Sequence, residues 1–431
     1  MVRSRWRRRA AAAGMALALG GLTACGAGET GPPTLTWYTN PDSGGQATIA
    51  AACTEAAGGA YSIEVSVLPR ESSEQRQQLV RRLAAGDTSI DIMSLDPPYI
   101  PEFAQAGFLA PVPQDVGGRV TEGVAQSAID GATWNDELVT IPFWANTQLL
   151  WYKESAAAAA GLDMTQPVTW DQLIAAAESQ DTQIAAQGRR AESLVVWFNA
   201  LIESAGGSVI TQTADDPADI QLGLDTPEGQ RASEVMAAVA NSGVVGPAFT
   251  TAGEDESVTN FEAGDADFMV NWPFVWPRAN EAVEGGTLDQ SVVDDYGWAL
   301  YPAVEAGTPS APPYGGINLG VGWASNHPDL AFEATECITS AENQQAYFLS
   351  DGNPAARLEV FENPEVIEAF PMAPVIAQSL QQAKPRPQTA YYSEVSGSLQ
   401  REYHPPTAVT PGTGPAAAEL IRAVLSGEEL L

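Results

Sequence analysis

The chain has 431 residues, of which 54 are Asp or Glu and only 20 are Lys or Arg, so its net charge at pH 7 is -34. A surface this acidic repels phosphate backbones and anionic lipid headgroups, which excludes nucleic acid and a charged membrane surface as partners. The length exceeds one compact core and predicts about two domains.

The N-terminus has the order of a secretory signal: five arginines precede an uncharged stretch, 10–22, that is too short to span a bilayer. We interpret residues 1–24 as a signal peptide, whose removal leaves 15 Lys and Arg against 54 Asp and Glu, a net charge of -39. The motif LTACG, 22–26, looks like the lipobox of bacterial lipoproteins; the alternative is a chance cysteine after a membrane anchor. An acylated Cys25 and a flexible linker over 25–33 would hold the protein at the extracytoplasmic face of the cell membrane.

Ala-rich helical segments alternate with short strand-like segments along the mature chain, and this order predicts an α/β architecture. The predicted strands cover 35–39, 63–68, 90–95, 139–141, 149–152, 267–272 and 296–301. The predicted helices cover 48–57, 72–85, 169–179, 195–205, 226–242, 254–263, 328–339 and 394–402. Thr169 is the expected N-cap of its helix, and Pro227 is expected in the first turn of another.

Two predicted strands end in polar side chains followed by proline, at Asn40 and at Asp96, and Asp42 lies on the first of these loops. Ligands of open α/β sheets bind at the carboxyl ends of strands, where the loops diverge. An Asp in this position can bind a hydroxyl group, cap a helix or satisfy a turn, and capping is its usual role. Two such loops converging on one edge favour a binding site there.

The segment 140–152, TIPFWANTQLLWY, places aromatic rings and side-chain amides after Pro142. Because proline has no N–H to give a ladder, Pro142 predicts a sheet edge or a break in the strand. We interpret the segment as a crossing of the chain from one sheet, past a cleft, into another. The alternative is an ordinary core strand with a proline kink. The glycine-rich segment 314–321 is predicted to be a second crossing.

Three aromatic residues, Trp272, Phe274 and Trp276, lie within five positions and are flanked by prolines, so they cannot all face one core. Some are expected to line a cleft, and a satellite hydrophobic cluster under the loop is the alternative. Arg386 lies between two prolines on a stiff, extended backbone. There it either reaches a ligand or pairs with the acidic surface.

Motifs that carry catalytic chemistry are scarce. The chain has two histidines, and no cluster of His, Cys and Asp has metal-ligand spacing. Neither a phosphate-binding loop nor a nucleophile elbow is present, so we expect no enzyme activity, no metal and no cofactor. With Cys25 acylated, Cys53 and Cys337 form an even pair, which in an oxidising compartment favours a disulfide over two buried thiols.

Five segments, in the right order along the chain, resemble those of one family. They are SLDPPYIPEFAQAGFLAPV (94–112), TIPFWANTQLLWYKES (140–155), FEAGDADFMVNWPFVW (261–276), FEATECITSAENQQAYF (332–348) and KPRPQTAYYSEVS (384–396). The family is the extracellular solute-binding proteins of bacterial ABC importers, in the branch that binds maltose, trehalose and related oligosaccharides. The resemblance covers nearly all of the mature chain and is greatest to the trehalose-binding lipoproteins of actinobacteria.

This resemblance implies an α/β fold of two lobes, like that of the periplasmic binding proteins, with three hinge crossings and the ligand cleft between the lobes. Lobe I would take 34–143 plus 316–342, and lobe II would take 147–314 plus 345–431. Both cysteines of the expected disulfide would then lie in lobe I, which makes their pairing sterically reasonable.

The resemblance also implies a set of ligand-binding residues drawn from both lobes. The expected set is Asn40, Asp42, Asp96, Asn146, Glu254, Trp272, Trp276, Gly315, Gly316, Arg386 and Tyr391. In it Asp96 would accept sugar hydroxyls, Asn146 would give a bidentate amide contact and Glu254 would reach in from the other lobe. Arg386 would donate a fork of hydrogen bonds, with Tyr391 nearby.

Stacking and backbone contacts complete the implied site. Trp272 and Trp276 are the candidates for packing on a pyranose face, although much of the family places that ring directly after the proline, at the position of Phe274. Gly315 and Gly316 would let backbone N–H groups approach the ligand. Paired polar groups and an aromatic face suit a carbohydrate, which has both hydroxyls and apolar C–H faces.

The implied function is capture of a disaccharide, with trehalose as the expected ligand, by a monomer whose hinge closes over the sugar. The closed form would be recognised by a pair of permease subunits driven by an ATPase. Maltose, a maltodextrin or another neutral glycoside is the alternative ligand. Two readings from other classes remain open: a secreted glycosidase, which needs two facing carboxylates, and an adhesion module, which needs an exposed apolar patch.

Overall fold

The computed structural model describes residues 31–214 and 216–431. The predicted signal peptide, Cys25 and most of the predicted linker therefore lie outside the described residues. Within the described ranges no helix has both the length and the apolar character that crossing a bilayer requires.

The described chain alternates strands with helices. The strands are β1 (Thr34–Thr39), β2 (Ser62–Val67), β3 (Ile92–Leu95), β4 (Thr133–Trp134), β5 (Glu137–Leu138), β6 (Ile141–Thr147), β7 (Leu149–Lys153), β8 (Gln183–Ala185), β9 (Ile210–Gln212), β10 (Gln221–Leu222), β11 (Ala266–Asn271), β12 (Tyr296–Ala299) and β13 (Tyr314–Val321). The first nine helices are α1 (Gly45–Ala56), α2 (Ser72–Ala84), α3 (Ile100–Gln105), α4 (Gln114–Thr121), α5 (Gln126–Asp130), α6 (Glu154–Ala160), α7 (Trp170–Gln180), α8 (Glu192–Ser204) and α9 (Pro227–Asn241). The remaining helices are α10 (Glu254–Ala263), α11 (Val275–Glu284), α12 (Gln290–Val293), α13 (Pro328–Ile338), α14 (Ala341–Asp351), α15 (Pro364–Ala369), α16 (Ala373–Leu380), α17 (Tyr392–Glu402) and α18 (Thr413–Leu425).

Lobe I is built on a sheet of five strands in the order β2-β1-β3-β13-β6. The strand β1 is parallel to β2 and β3, whereas β13 is antiparallel to both β3 and β6. Both faces of β1 are buried, because Leu35 and Trp37 enter the core under α1 and α13 while Tyr38 enters the opposite core under α2 and α3. Helices on both faces are typical of an α/β layer architecture.

Lobe II is built on a sheet of four strands in the order β12-β7-β11-β8. Side chains along β11 alternate between two cores, because successive residues of a strand point to opposite faces. Phe268 and Val270 join the core formed with α7, α8, α9, α17 and α18, while Met269 joins the core formed with α10, α11, α15 and α16.

The chain connects the two lobes three times. Only Gln148 separates β6 in the first sheet from β7 in the second, and the chain returns between β12 and β13. The third connection runs along α14, where Tyr347 belongs to the core of lobe I and Phe348 to a core of lobe II. These connections confirm the two-lobed α/β fold expected from the sequence, whereas the exact residue ranges of the lobes stay a prediction.

The strand break expected at Pro142 is wrong, because β6 runs through Pro142 without interruption. β6 is the edge strand of its sheet. A missing N–H on the outer side of an edge strand removes no hydrogen bond to a neighbouring strand. The register of the facing strand shifts between Ile317 and Asn318, directly opposite the proline. The order of the strands confirms the alternative expectation, that Pro142 lies in an edge strand.

Lobe I also holds a disulfide between Cys53 in α1 and Cys337 in α13, with an S–S distance of 2.05 Å and a sequence separation of 284. Helix starts follow local sequence signals. Thr169 forms a capping box with Gln172 at α7, and the Thr226 hydroxyl accepts a hydrogen bond from the N–H of Gly229 at α9.

Candidate functional site

A cleft lies between the two lobes, where the loops that follow β1, β3 and β11 meet. It has an inner compartment of about 420 Å³ and an outer compartment of about 490 Å³. The two compartments are continuous, because they share the lining residues Arg70, Glu254, Asp255, Trp272, Phe274 and Asn353. Each volume falls in the range typical of small-molecule sites, about 300–1,000 Å³.

Most of the residues expected from the sequence line this cleft. Those in the inner compartment are Asn40, Asp96, Asn146, Glu254, Trp272, Gly315, Gly316 and Arg386. Asp42 lines the outer compartment. The β13 glycines stand opposite the crossing strand β6, with Gly315 paired to Asn146. Residues that are far apart in sequence therefore converge because two sheets present their strand ends to the same space.

Arg386 is the most buried charged side chain in the cleft, with 5% of it exposed. Its Nη2 donates to Asp96 Oδ1 at 2.6 Å, across the two lobes, and its Nη1 donates to Glu192 Oε1 at 2.9 Å. Glu192 also accepts hydrogen bonds from Tyr392 and, at 2.7 Å, from the Ser396 hydroxyl. Burial raises the pKa of Asp96, and the charge of Arg386 opposes that rise.

These contacts occupy hydrogen-bonding groups of two residues that were expected to bind the ligand, Arg386 and Asp96. The guanidinium fork of Arg386 is donated to protein carboxylates, which leaves only its buried Nε without a partner among the described residues. One carboxylate oxygen of Asp96 is likewise already an acceptor. In this conformation the pair therefore joins the lobes, and Asp96 has less than its full hydrogen-bonding capacity left for a ligand.

Trp272 follows β11, and both its backbone and its indole ring make close contacts. Its backbone N–H donates to Asn271 Oδ1 at 2.9 Å, and Asn271 in turn donates to the Glu254 carbonyl at 3.0 Å. The Glu254 side chain shares the lining of the inner compartment with Trp272, and the six-membered ring of the Trp272 indole lies against Gly315. Burial raises the pKa of Glu254, while hydrogen bonds and nearby Arg189 favour its charged form.

The polar residues on the lobe I side are partly engaged. Asp42 accepts hydrogen bonds from the N–H groups of Gly44 and Gln46 at 3.1 and 2.7 Å, so it also caps the start of α1. Asn40 Oδ1 is buried and has no partner among the described residues. Asn146 uses its Oδ1 to accept from the Thr147 N–H at 2.9 Å, which leaves the amide NH₂ for other contacts.

Two expected residues line neither of these compartments, although one of them, Trp276, lines an adjacent cavity of about 750 Å³ that shares Arg70 and Phe274 with the outer compartment. Trp276 lies on α11, donates its indole N–H to the Ala369 carbonyl at 2.8 Å and packs edge-on against Trp298 at 5.6 Å. The helix begins at Val275, and its rotation carries position 276 away from Trp272. Phe274, which precedes that helix, lines the inner compartment together with Trp144 and Trp272.

Tyr391 packs beside the core of lobe II instead of lining the cleft. The next residue, Tyr392, contacts the charged network through Glu192 and packs edge-on against Tyr99 of lobe I at 5.5 Å. The one-residue difference arises because α17 begins at Tyr392, and a helix start decides which neighbour points inward.

The sequence interpretation also missed residues that line the cleft. They include Arg70, Arg189, Glu192 and Trp144. Glu192 is the first residue of α8, where an acidic side chain is ordinarily explained by the helix dipole, so no local signal marked it. Among the described residues no group of three or more His, Cys, Asp or Glu is placed to hold a metal ion.

Comparison with known proteins agrees with this architecture. The model of the family described as bacterial extracellular solute-binding protein matches residues 39–345, and the chain belongs to this family. A probable ABC transporter-binding protein of Deinococcus radiodurans is 23% identical over 372 residues, which covers 83% of this chain and 84% of that protein. Membership of this family confirms the prediction that the chain binds a solute outside the cell and is not an enzyme.

Solved structures with the same fold include the maltose-bound MalE3 of T. maritima, with 25% identity, a TM-score of 0.75 and coverage of 92% of this chain and 100% of that one. The cyclic alpha-maltosyl-1,6-maltose binding protein of Arthrobacter globiformis has 22% identity, a TM-score of 0.73 and coverage of 92% and 100%. These similarities extend over both lobes and show that the fold is that of this class of binding proteins.

Proposed function

We propose that this protein is the substrate-binding component of a bacterial ABC importer and captures a disaccharide, with trehalose as the expected ligand. The cleft carries this proposal. It places the rings of Trp272 and Phe274 in one lining with the side chains of Asn40, Asn146 and Glu254. Aromatic rings pack on the C–H faces of a pyranose, and amides and carboxylates pair with its hydroxyls.

Similar proteins support the importer and the class of ligand. The Deinococcus radiodurans relative is named as a probable ABC transporter-binding protein, and the T. maritima structure contains maltose. The Arthrobacter globiformis protein binds a cyclic maltosyl sugar. Maltose, a maltodextrin or another neutral glycoside is therefore the second candidate ligand for the same cleft.

Capture follows from the hinges. In an open form the sugar binds one wall of the cleft, and rotation about the three connections brings the other lobe over it. Closure excludes water, so a ligand that lacks one hydroxyl leaves a buried polar group unpaired and binds more weakly. The buried pair of Asp96 and Arg386 joins the two lobes at the inner compartment and favours the closed arrangement.

The cellular setting completes the proposal. Acylation of Cys25 anchors a monomer to the extracytoplasmic face of the membrane, and the closed form delivers its sugar to a pair of permease subunits driven by an ATPase. More than one acyl chain gives a stable anchor, whereas a single chain binds membranes only marginally.

A thermal-shift screen against trehalose, maltose, maltotriose and acyclic polyols tests the ligand class. Binding at 100 times the Kd stabilises the protein by about 2.7 kcal/mol, which gives a clear rise in Tm. Trp272→Ala is expected to abolish the shift. Trp323→Ala is the matched control, because Trp323 is 50% exposed and does not line the cleft. No shift with any sugar, or an equal loss in the control, would contradict the proposal.

A further inference from the structure

We infer that Gly315 is a positioning residue for the Trp272 indole, and that this contact between the lobes sets the affinity for cyclic sugars. The inference rests on the proposed function of the cleft as a sugar site. It concerns how the stacking ring is held in place, and it assigns to Gly315 a role different from an approach of its backbone N–H to the ligand.

The contact is unusually close. A Cβ atom added at Gly315 would lie 3.0 Å from both Cη2 and Cζ3 of Trp272, closer than nine in ten Cβ contacts in proteins. Gly315 belongs to β13 in the sheet of lobe I, whereas Trp272 directly follows β11 in the sheet of lobe II. The indole of one lobe therefore rests on the backbone of the other.

Trp272 has little freedom to move away from a side chain at position 315. Its backbone N–H donates at 2.9 Å to Oδ1 of Asn271, which is fully buried, so the position from which the indole extends is fixed. The remaining direction leads into the cleft, because Trp272 is part of the lining of both compartments. A side chain at position 315 would push the ring into the space that the sugar needs.

Space, and not backbone conformation, requires glycine at this position. The next residue, Gly316, has φ of +122°, which side-chain-bearing residues rarely adopt, so a substitution there would strain the backbone. Gly315 has no such φ. The variant Gly315→Ala therefore perturbs the contact with Trp272 while leaving the backbone free to keep its conformation.

The test is a double-mutant cycle measured by calorimetry with trehalose and maltose. We expect Gly315→Ala to weaken sugar binding at least tenfold. Gly118→Ala is the matched control, because a Cβ there meets no atom within 4 Å and the site lies on α4, so its affinity should stay within twofold of the wild type. The phenylalanine ring of Trp272→Phe lacks the two contacting atoms. In that background Gly315→Ala should therefore weaken sugar binding less than threefold.

Each result decides the inference. Wild-type affinity for Gly315→Ala, or an equal penalty in the Trp272→Phe background, would overturn it. A wild-type protein that binds no sugar would refute the proposed function instead. Urea unfolding of the wild type, the two single variants and the double variant would then measure the contact between Gly315 and Trp272 without a ligand. If Gly315→Ala does not fold, recovery of folding by Trp272→Phe supports the contact, and no recovery contradicts it.

Discussion

Replacement of Asp96 by alanine tests whether the charged network in the cleft joins the lobes. The substitution removes the acceptor for Arg386 Nη2, which lies 2.6 Å from Asp96 Oδ1. Arg386 is 5% exposed, so its positive charge would stay in a poorly solvated position, and Glu192 would be its one remaining acidic partner within residues 31–214 and 216–431. A buried charge that loses a partner is far more costly than an exposed one, because little water can replace the lost contact.

The expected loss for Asp96→Ala is about 3–5 kcal/mol of the free energy of unfolding, the range found when one member of a buried ion pair is removed. The matched control is Asp115→Ala. Asp115 is 73% exposed and pairs with Arg119 at 3.1 Å on the surface of α4. Exposed pairs contribute little because both charges are already solvated, so this variant should unfold almost like the wild type.

The assay is urea unfolding followed by tryptophan fluorescence, with the slope of the transition checked to be unchanged. A large shift of the midpoint for Asp96→Ala and a small one for Asp115→Ala would support the reasoning. Equal and small shifts for the two variants would refute it. They would mean that the contact of Asp96 with Arg386 does not stabilise the arrangement of the lobes.

Three further predictions address the disulfide, the pH dependence and the stacking ring. Replacing Cys53 and Cys337 together by serine should lower the free energy of unfolding by about 5 kcal/mol, because the crosslink joins residues that are 284 positions apart. A reducing agent should then no longer change the stability of the variant. A variant as stable as the wild-type protein would contradict this prediction. Burial raises the pKa of the Glu203 carboxyl from 4.5 to about 7, so its contribution to the free energy of unfolding is complete below pH 4.5 and is lost as the pH rises through 7. Unfolding curves of Glu203→Gln at a series of pH values should lack this decline in stability. A decline that persists unchanged in the variant would mean that another group causes it. Trp272→Ala should abolish sugar binding while Trp276→Ala keeps it, because only Trp272 lines the inner and outer compartments; calorimetry that reverses this order would place the stacking ring at 276.

Local signals in the sequence predicted much of the fold. The helix expected over 254–263 has the bounds Glu254–Ala263 in the structure, where it begins with an acidic first turn and ends at Gly264 in a left-handed conformation. Asn40 and Asp96 were expected at one edge because each follows a strand, and both line the inner compartment. Such features depend on a few neighbouring residues, which a sequence displays directly.

The charged network could not be predicted in the same way. Arg386 is 290 residues from Asp96 and 194 from Glu192, so only the assembled lobes bring the three side chains together. The aromatic positions depended on helix starts that the sequence marks weakly. Because α11 begins at Val275, Trp276 points away from Trp272. Because α17 begins at Tyr392, the Tyr392 ring points toward Glu192.

The most direct test of the account is calorimetric titration of the wild-type protein with trehalose and with maltose at several temperatures. We predict saturable binding of one sugar molecule per chain for at least one of them, with a negative heat-capacity change from burial of apolar surface in the closing cleft. The absence of saturable heat with trehalose, maltose and longer neutral maltodextrins at millimolar concentration would contradict the claim that the two lobes capture a carbohydrate.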